Sequence, residues 1–204
     1  MFEKAITDFL FLWVTIDPIG TVVIFTALTK RYSKEKRLLT ARNAIFYAGI
    51  ILIGSIILGQ IILTGMGIRM VSLQVSGGLV LLIFALQMIF TDFEEDPKKE
   101  GGHDVAVFPL AIPMIATPGA ILAVILQTDH VKYEWYEQGI TGIMLLLVLA
   151  ATFYMMKLSD RILKVIGHNG AQILIKVMGM LLAALSVELI MEAIGIERWL
   201  YPVP

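Results

Sequence analysis

Six apolar runs long enough to cross a membrane fill most of this chain, and two of them carry a proline near the midpoint. The first break reads Asp17-Pro18-Ile19-Gly20, and 100 residues later Thr117-Pro118-Gly119-Ala120 interrupts another run in the same way. Proline removes a backbone donor and clashes with the preceding turn. In lipid, the carbonyl it frees is tolerated only beside protein or a water-lined cavity, so packing alone explains two matched breaks poorly. Corresponding interruptions in two halves of a membrane protein point instead to a transporter's binding site.

A span needs roughly 20 mainly apolar residues to cross a hydrocarbon core about 30 Å thick. Runs near 5–29, 43–64, 70–91, 107–128, 139–158 and 172–195 meet that length when both breaks are read as internal. None shows the alternation of a lipid-facing strand. The expected class is therefore all-α, a polytopic membrane protein with six transmembrane helices, the first and fourth discontinuous. A composition 58% hydrophobic and only 16% charged excludes an ordinary soluble domain. The first run extends well past signal-peptide length without a convincing cleavage site, so it is read as a retained helix. No cysteine is available for disulfides or thiolate metal sites. His103, His130 and His168 have no ligand spacing, no broad basic surface suggests nucleic acid, and no P-loop is present. The expectation is no cofactor, no metal, no nucleic-acid partner and no enzymatic activity; the lipid bilayer is the implied surrounding, and no oligomeric state is specified.

The charges crowd between the runs. Lys30, Arg31, Lys34, Lys36, Arg37 and Arg42 follow the first span, Lys98 and Lys99 the third, and Lys157, Arg161 and Lys164 the fifth. Six spans place all of these on one face, against Lys4, Arg69, Lys132 and Arg198 on the other. The positive-inside bias then puts both termini on the non-cytoplasmic side of a multi-pass protein, expected in the cell membrane. The polar stretch 92–106, with its acidic residues, Pro97 and Gly101-Gly102, reads as a linker between halves 1–91 and 107–204. Aligning the halves pairs Pro18 with Pro118, Gly78 with Gly179 and Gln87 with Glu188. Three spans per half force the second half to enter from the opposite side, which is an inverted 3+3 repeat.

At each break the following half-helix begins with amides that lack intrahelical partners, and its dipole places partial positive charge there. The candidate donors to a ligand carboxylate are Ile19, Gly20 and Thr21 in the first half and Gly119, Ala120 and Ile121 in the second. Gly20 and Gly119 allow close backbone approach. Carbonyls around Thr15, Ile16, Ala116 and Thr117 suit an ammonium group or a cation. Asp17, near the middle of its span, either caps the half-helix that follows or binds the substrate ammonium or a coupling proton. Thr15, Thr21 and Thr117 offer hydroxyls to the same cavity or bond back to their own helices. Trp13 is a candidate cavity wall. Glu188 and Glu192, one turn apart, form either a proton relay or a hydrated interfacial pair. Glycines such as Gly49, Gly59, Gly77, Gly78 and Gly179 permit close helix packing.

Three stretches resemble the MarC family of bacterial and archaeal membrane proteins, which includes the SnatA neutral amino acid transporters. They are Ile16-Asp17-Pro18-Ile19-Gly20, the long stretch from Phe108 to Ile121, and Lys176 to Ala184. The resemblance implies six spans, inverted repeats, discontinuous first and fourth helices, and small neutral amino acids such as glycine and alanine as substrates. Many family members carry Asn where Asp17 stands and Gly where Thr117 stands, so this chain adds a charge at one break and narrows the other. The leading functional expectation is a secondary transporter of a small neutral amino acid, driven by a proton or sodium gradient, with uptake, efflux and exchange all open to the same site. The alternatives are a non-transporting membrane scaffold or regulator, whose half-helices would meet in a dry, closed interface, and an intramembrane enzyme using Asp17.

Overall fold

The computed structural model describes residues 1–90 and 104–195, and every element it describes is helical. Most of the expected linker, together with Arg198, lies outside the described residues. The first run forms α1 (Phe2–Ile16) and α2 (Pro18–Thr29), followed by α3 (Lys34–Gly65) and α4 (Met70–Phe90). After a wide-turned segment, Ala106–Ile115, come α5 (Pro118–Gln127), α6 (Trp135–Lys157) and α7 (Ser159–Ile194). Five helices have the length and apolar character to cross a membrane, or six spans when the bent pair Ala106–Ile115 and Pro118–Gln127 is counted as one.

Two boundaries differ from expectation. The cations from Lys34 to Arg42 were expected in a loop, yet they form the first turns of α3, because the Ser33 hydroxyl accepts from the Lys36 amide at 3.3 Å and starts the helix early. The fourth span is also less regular than a helix with one break. Phe108 and Ile112 are extended, each ahead of a cis proline, Pro109 and Pro113. The proline ring disfavours α geometry in the residue before it, so two pre-proline residues in five leave no room for a regular α-turn. The segment then meets α5 at 54°.

The spans pack in a pattern that survives exchange of the halves. α1 and α2 lie on α6, while Ala106–Ile115 and α5 lie on α3; α4 runs along α7. The larger core joins Leu12, Ile16, Phe25, Leu52, Leu110, Ile115 and Leu145, and a smaller one joins Leu81, Ala85, Leu122, Ile175 and Leu182. Ile50, Ile57, Ile61, Leu146, Ile173 and Met180 face outward, as residues bathed by lipid chains do.

The contact between α4 and α7 depends on two glycines. A methyl at Gly78 would meet Ile190 Cγ1 at 2.7 Å and the Ser186 carbonyl at 3.0 Å; one at Gly179 would meet Ile89 Cγ1 at 3.0 Å and the Ala85 carbonyl at 3.2 Å. Shifting each number of the first set by 101 gives the second, so the two helices touch through equivalent residues in both directions. Both glycines bring backbones together where any side chain would hold them apart. Gly78→Leu is expected to destabilise the protein by about 1–3 kcal/mol, the usual cost of overpacking. A lowered unfolding midpoint in detergent would show it, and an unchanged midpoint would mean that α4 and α7 separate freely.

Candidate functional site

One residue makes the first break. Asp17 has φ 48° and ψ 72°, the left-handed region that Asp enters more readily than most residues. Its amide donates to the Trp13 carbonyl at 3.1 Å, ending α1, while its carboxylate Oδ1 accepts from the Gly20 amide at 3.0 Å and its carbonyl from the Thr21 amide at 3.0 Å, starting α2. The Ile19 amide faces the same carboxylate. Gly20 has a steric reason: a methyl there would overlap Asp17 Oδ2, so a side chain and the folded-over carboxylate cannot coexist. Asp17 is thus a helix cap, and of the two roles open from sequence this one is present in the geometry.

At the second break, Thr117 caps α5 by accepting from the Ala120 amide at 2.8 Å, and its carbonyl accepts from the Ile121 amide at 3.0 Å. The same hydroxyl donates to the Thr15 carbonyl at 2.9 Å. In an unbroken helix that carbonyl would accept from the amide four residues on, at Ile19. The break in the first span frees the acceptor, and a donor from the break in the fourth span takes it. The second interruption therefore completes the hydrogen bonding of the first, as a water-free interior demands.

Beside Asp17 lies a cavity of about 370 Å³ lined by Asp17, Gly20, Ile24, Phe84, Gln87, Met88, Met114 and Ile175. It begins at the buried carboxylate and reaches Gln87, which is exposed. All its lining residues beyond Gly20 belong to the halves of their spans nearer the basic end, where the α2–α3 turn carries Lys30 and Arg31. The walls are otherwise apolar. A carboxylate and a carboxamide in a small apolar space are the few placed polar groups of a small-molecule site.

Of the eight residues expected at the site, Asp17 and Gly20 line this cavity. Thr21 is buried near it with a hydroxyl that has no partner among the described residues. Ile19 is half-buried, with its amide turned to the Asp17 carboxylate. Thr117, Gly119 and Ala120 are buried, and Ile121 packs on the core. A methyl at Gly119 would overlap Leu81, so the close approach there is by a neighbouring helix and not by a ligand. Thr15 bonds back to Phe11 and Leu12 carbonyls at 2.9 and 3.3 Å. Trp13 lies with its ring tilted on Phe9 at 5.5 Å and does not line this cavity. Glu192 binds Lys132 at 3.0 Å and Gln74 at 2.9 Å on the surface, and Glu188 is exposed on the same helix. Partial burial works against the Lys132 charge, but its bonds to Glu192 prevail and hold it above the ordinary lysine value.

The structure also holds a buried ionic cluster absent from the sequence expectations. On the other side of the break from the cavity, Asp8 is 1% exposed in the first apolar run. The Lys4 ammonium donates to its carboxylate at 3.2 Å and to the Gln127 carbonyl at 3.3 Å, and sits 3.7 Å from the centre of the Tyr133 ring. The Thr141 hydroxyl donates to Asp8 Oδ2 at 2.6 Å. Residues from α1, α5, α6 and the loop before α6 are thereby joined. The available signal was the spacing of four between Lys4 and Asp8, which places both on one helix face.

Comparison with known proteins places these features in a family. A model described as MarC family integral membrane protein matches residues 2–199. A UPF0056 membrane protein of Buchnera aphidicola is 34% identical over 95% of this chain and 93% of its own. UPF0056 membrane proteins of Methanocaldococcus jannaschii and Archaeoglobus fulgidus are each 30% identical, over 88% and 92% of this chain and 90% and 91% of theirs. No solved structure matches.

Proposed function

The chain belongs to the MarC family of integral membrane proteins, and from that premise we propose that it is a secondary transporter of small neutral amino acids. The observation that carries the reading is the cavity of about 370 Å³ ending on the buried Asp17 carboxylate at a broken helix in mid-span. An amino acid's ammonium group pairs with Asp17, and its carboxylate accepts from the Gln87 amide. Phe84, Met88 and Met114 leave room for a small side chain. This modifies the docking expected from sequence, since the Gly20 and Ala120 amides are already engaged by Asp17 and Thr117.

With the basic end taken as cytoplasmic, the site faces inward and the Lys4–Asp8–Thr141 cluster shuts the outer side. The reciprocal contact of Gly78 and Gly179 supports inverted halves that exchange roles as access alternates. A proton on Asp17, or a sodium ion beside it, couples the cycle to a gradient. The test is uptake of a panel of labelled amino acids into proteoliposomes under imposed proton or sodium gradients. Saturable flux of glycine or alanine is expected, at least tenfold above empty liposomes. Its absence for every amino acid in the panel would remove the assignment.

One observation favours a second reading, a non-transporting scaffold. The direct bond from Thr117 to Thr15 closes the interface between the two breaks. A scaffold would keep that closure permanently and show no flux.

A further inference from the structure

The basic end of the bundle contains a second and larger cavity that the transport reading does not use. It measures about 860 Å³ and lies between the start of α3 and the α6–α7 junction. Five cations line it: Lys34, Arg37, Lys157, Arg161 and Lys164, with Asp160 as the one acid. That acid is already matched. Arg37 Nη1 donates to both Asp160 carboxylate oxygens at 2.7 and 2.9 Å, Nη2 donates to the Ser159 hydroxyl at 3.0 Å, and the guanidinium lies 5.5 Å from the centre of the Phe25 ring. The Lys34, Lys157, Arg161 and Lys164 side chains have no acidic partner among the described residues.

The cavity is a pocket with an excess of four positive charges, and Arg37 braces its wall. Chains of like charge repel unless an anion sits among them. Its lining also carries apolar side chains: Leu38 and Leu158 are 44% and 43% exposed next to the cations, at the basic end of the bundle, where the charge bias expects the headgroups. Basic pockets between helices at this level suit lipid headgroups. A soluble phosphate would use the cations and leave the leucines bare. We infer that the cavity binds the phosphate headgroup of an anionic phospholipid, whose acyl chains lie against Leu38 and Leu158.

Purified full-length protein in a neutral detergent is titrated with phosphatidylglycerol, phosphatidylcholine or inorganic phosphate, and bound lipid is counted by native mass spectrometry. Phosphatidylglycerol is expected to bind with one site at least tenfold tighter than phosphatidylcholine. Arg161→Gln together with Lys164→Gln, both exposed and outside the helix contacts described above, weakens phosphatidylglycerol about tenfold or more and leaves the unfolding midpoint of the lipid-free protein unchanged. Equal binding of the two lipids, or unchanged phosphatidylglycerol affinity in the double variant, overturns the site. Displacement of the lipid by inorganic phosphate at equal concentration overturns the lipid as its occupant.

Discussion

Asp17→Ala is expected to cut saturable uptake tenfold or more and to destabilise the protein, whereas Asp17→Asn is expected to fold normally while binding substrate more weakly and losing its response to a proton gradient. The separation follows from two jobs done by one side chain. As a cap, Asp17 satisfies the Gly20 amide at 3.0 Å from the left-handed region. Alanine forfeits the cap, about 1 kcal/mol, and adds the steric cost of that backbone region, roughly 1–2 kcal/mol. Asparagine keeps an acceptor oxygen and tolerates the same backbone, so its cost is within a few tenths of a kcal/mol. As a charge at the end of the cavity, Asp17 is lost in both. Flux into proteoliposomes with and without an imposed pH difference, beside unfolding midpoints, measures both roles. Proton stimulation of Asp17→Asn equal to that of the natural protein would remove the carboxylate from coupling. Undiminished flux in Asp17→Ala would remove it from the site.

The largest change in stability is expected from Lys4→Met. Removing one partner of a buried ion pair costs about 3–5 kcal/mol, because the remaining charge stays buried without compensation. Native membrane and soluble domains alike have only about 5–15 kcal/mol in hand. Asp8 is the more deeply buried partner, with 1% of its side chain exposed against 11% for Lys4, so leaving the aspartate alone is the worse case. Asp8→Asn retains an acceptor for the Thr141 hydroxyl and leaves a lysine that still reaches the Gln127 carbonyl and the Tyr133 ring; its cost is expected to be the smaller. If the cluster also closes the outer path, loosening it opens the bundle on that side. The chain has no cysteine, so a single Ala123→Cys, at a fully buried position between Thr117 and Gln127, reports on this directly. Labelling by an impermeant thiol reagent is expected to be slow alone and at least fivefold faster with Lys4→Met. An unfolding midpoint that Lys4→Met does not lower would refute the pair's structural weight, and equal labelling rates would refute its role as a closure.

Much of the architecture was legible because it follows from local rules. Runs of about 20 apolar residues in lipid must become helices, and a mid-run proline must interrupt one. Prolines 109 and 113 obey the same chemistry, yet the apolar character of their neighbours hid them within a span. The basic segment from Lys34 to Arg42 has the charge of a loop, yet the cap that Ser33 supplies makes it helical. Asp8 stayed invisible for a different reason. A lone acid in an apolar run carries no mark of its partners, and Thr141 and Gln127 lie more than 100 residues away.

The sequence by itself determined a helical membrane protein of the MarC family with five or six candidate spans, two of them interrupted, since each of those properties depends on residues that are neighbours along the chain. Only the tertiary structure decided what the interruptions do. It used the Thr117 hydroxyl to fill the acceptor that the first break leaves at Thr15, and it turned Gly119 toward Leu81 instead of toward a ligand. It gathered Asp17, Phe84, Gln87, Met114 and Ile175 from four spans around one cavity. Such groupings depend on which helix faces meet across the bundle, and that is set by close contacts like those of Gly78 and Gly179, whose effect appears only when both helices are in place.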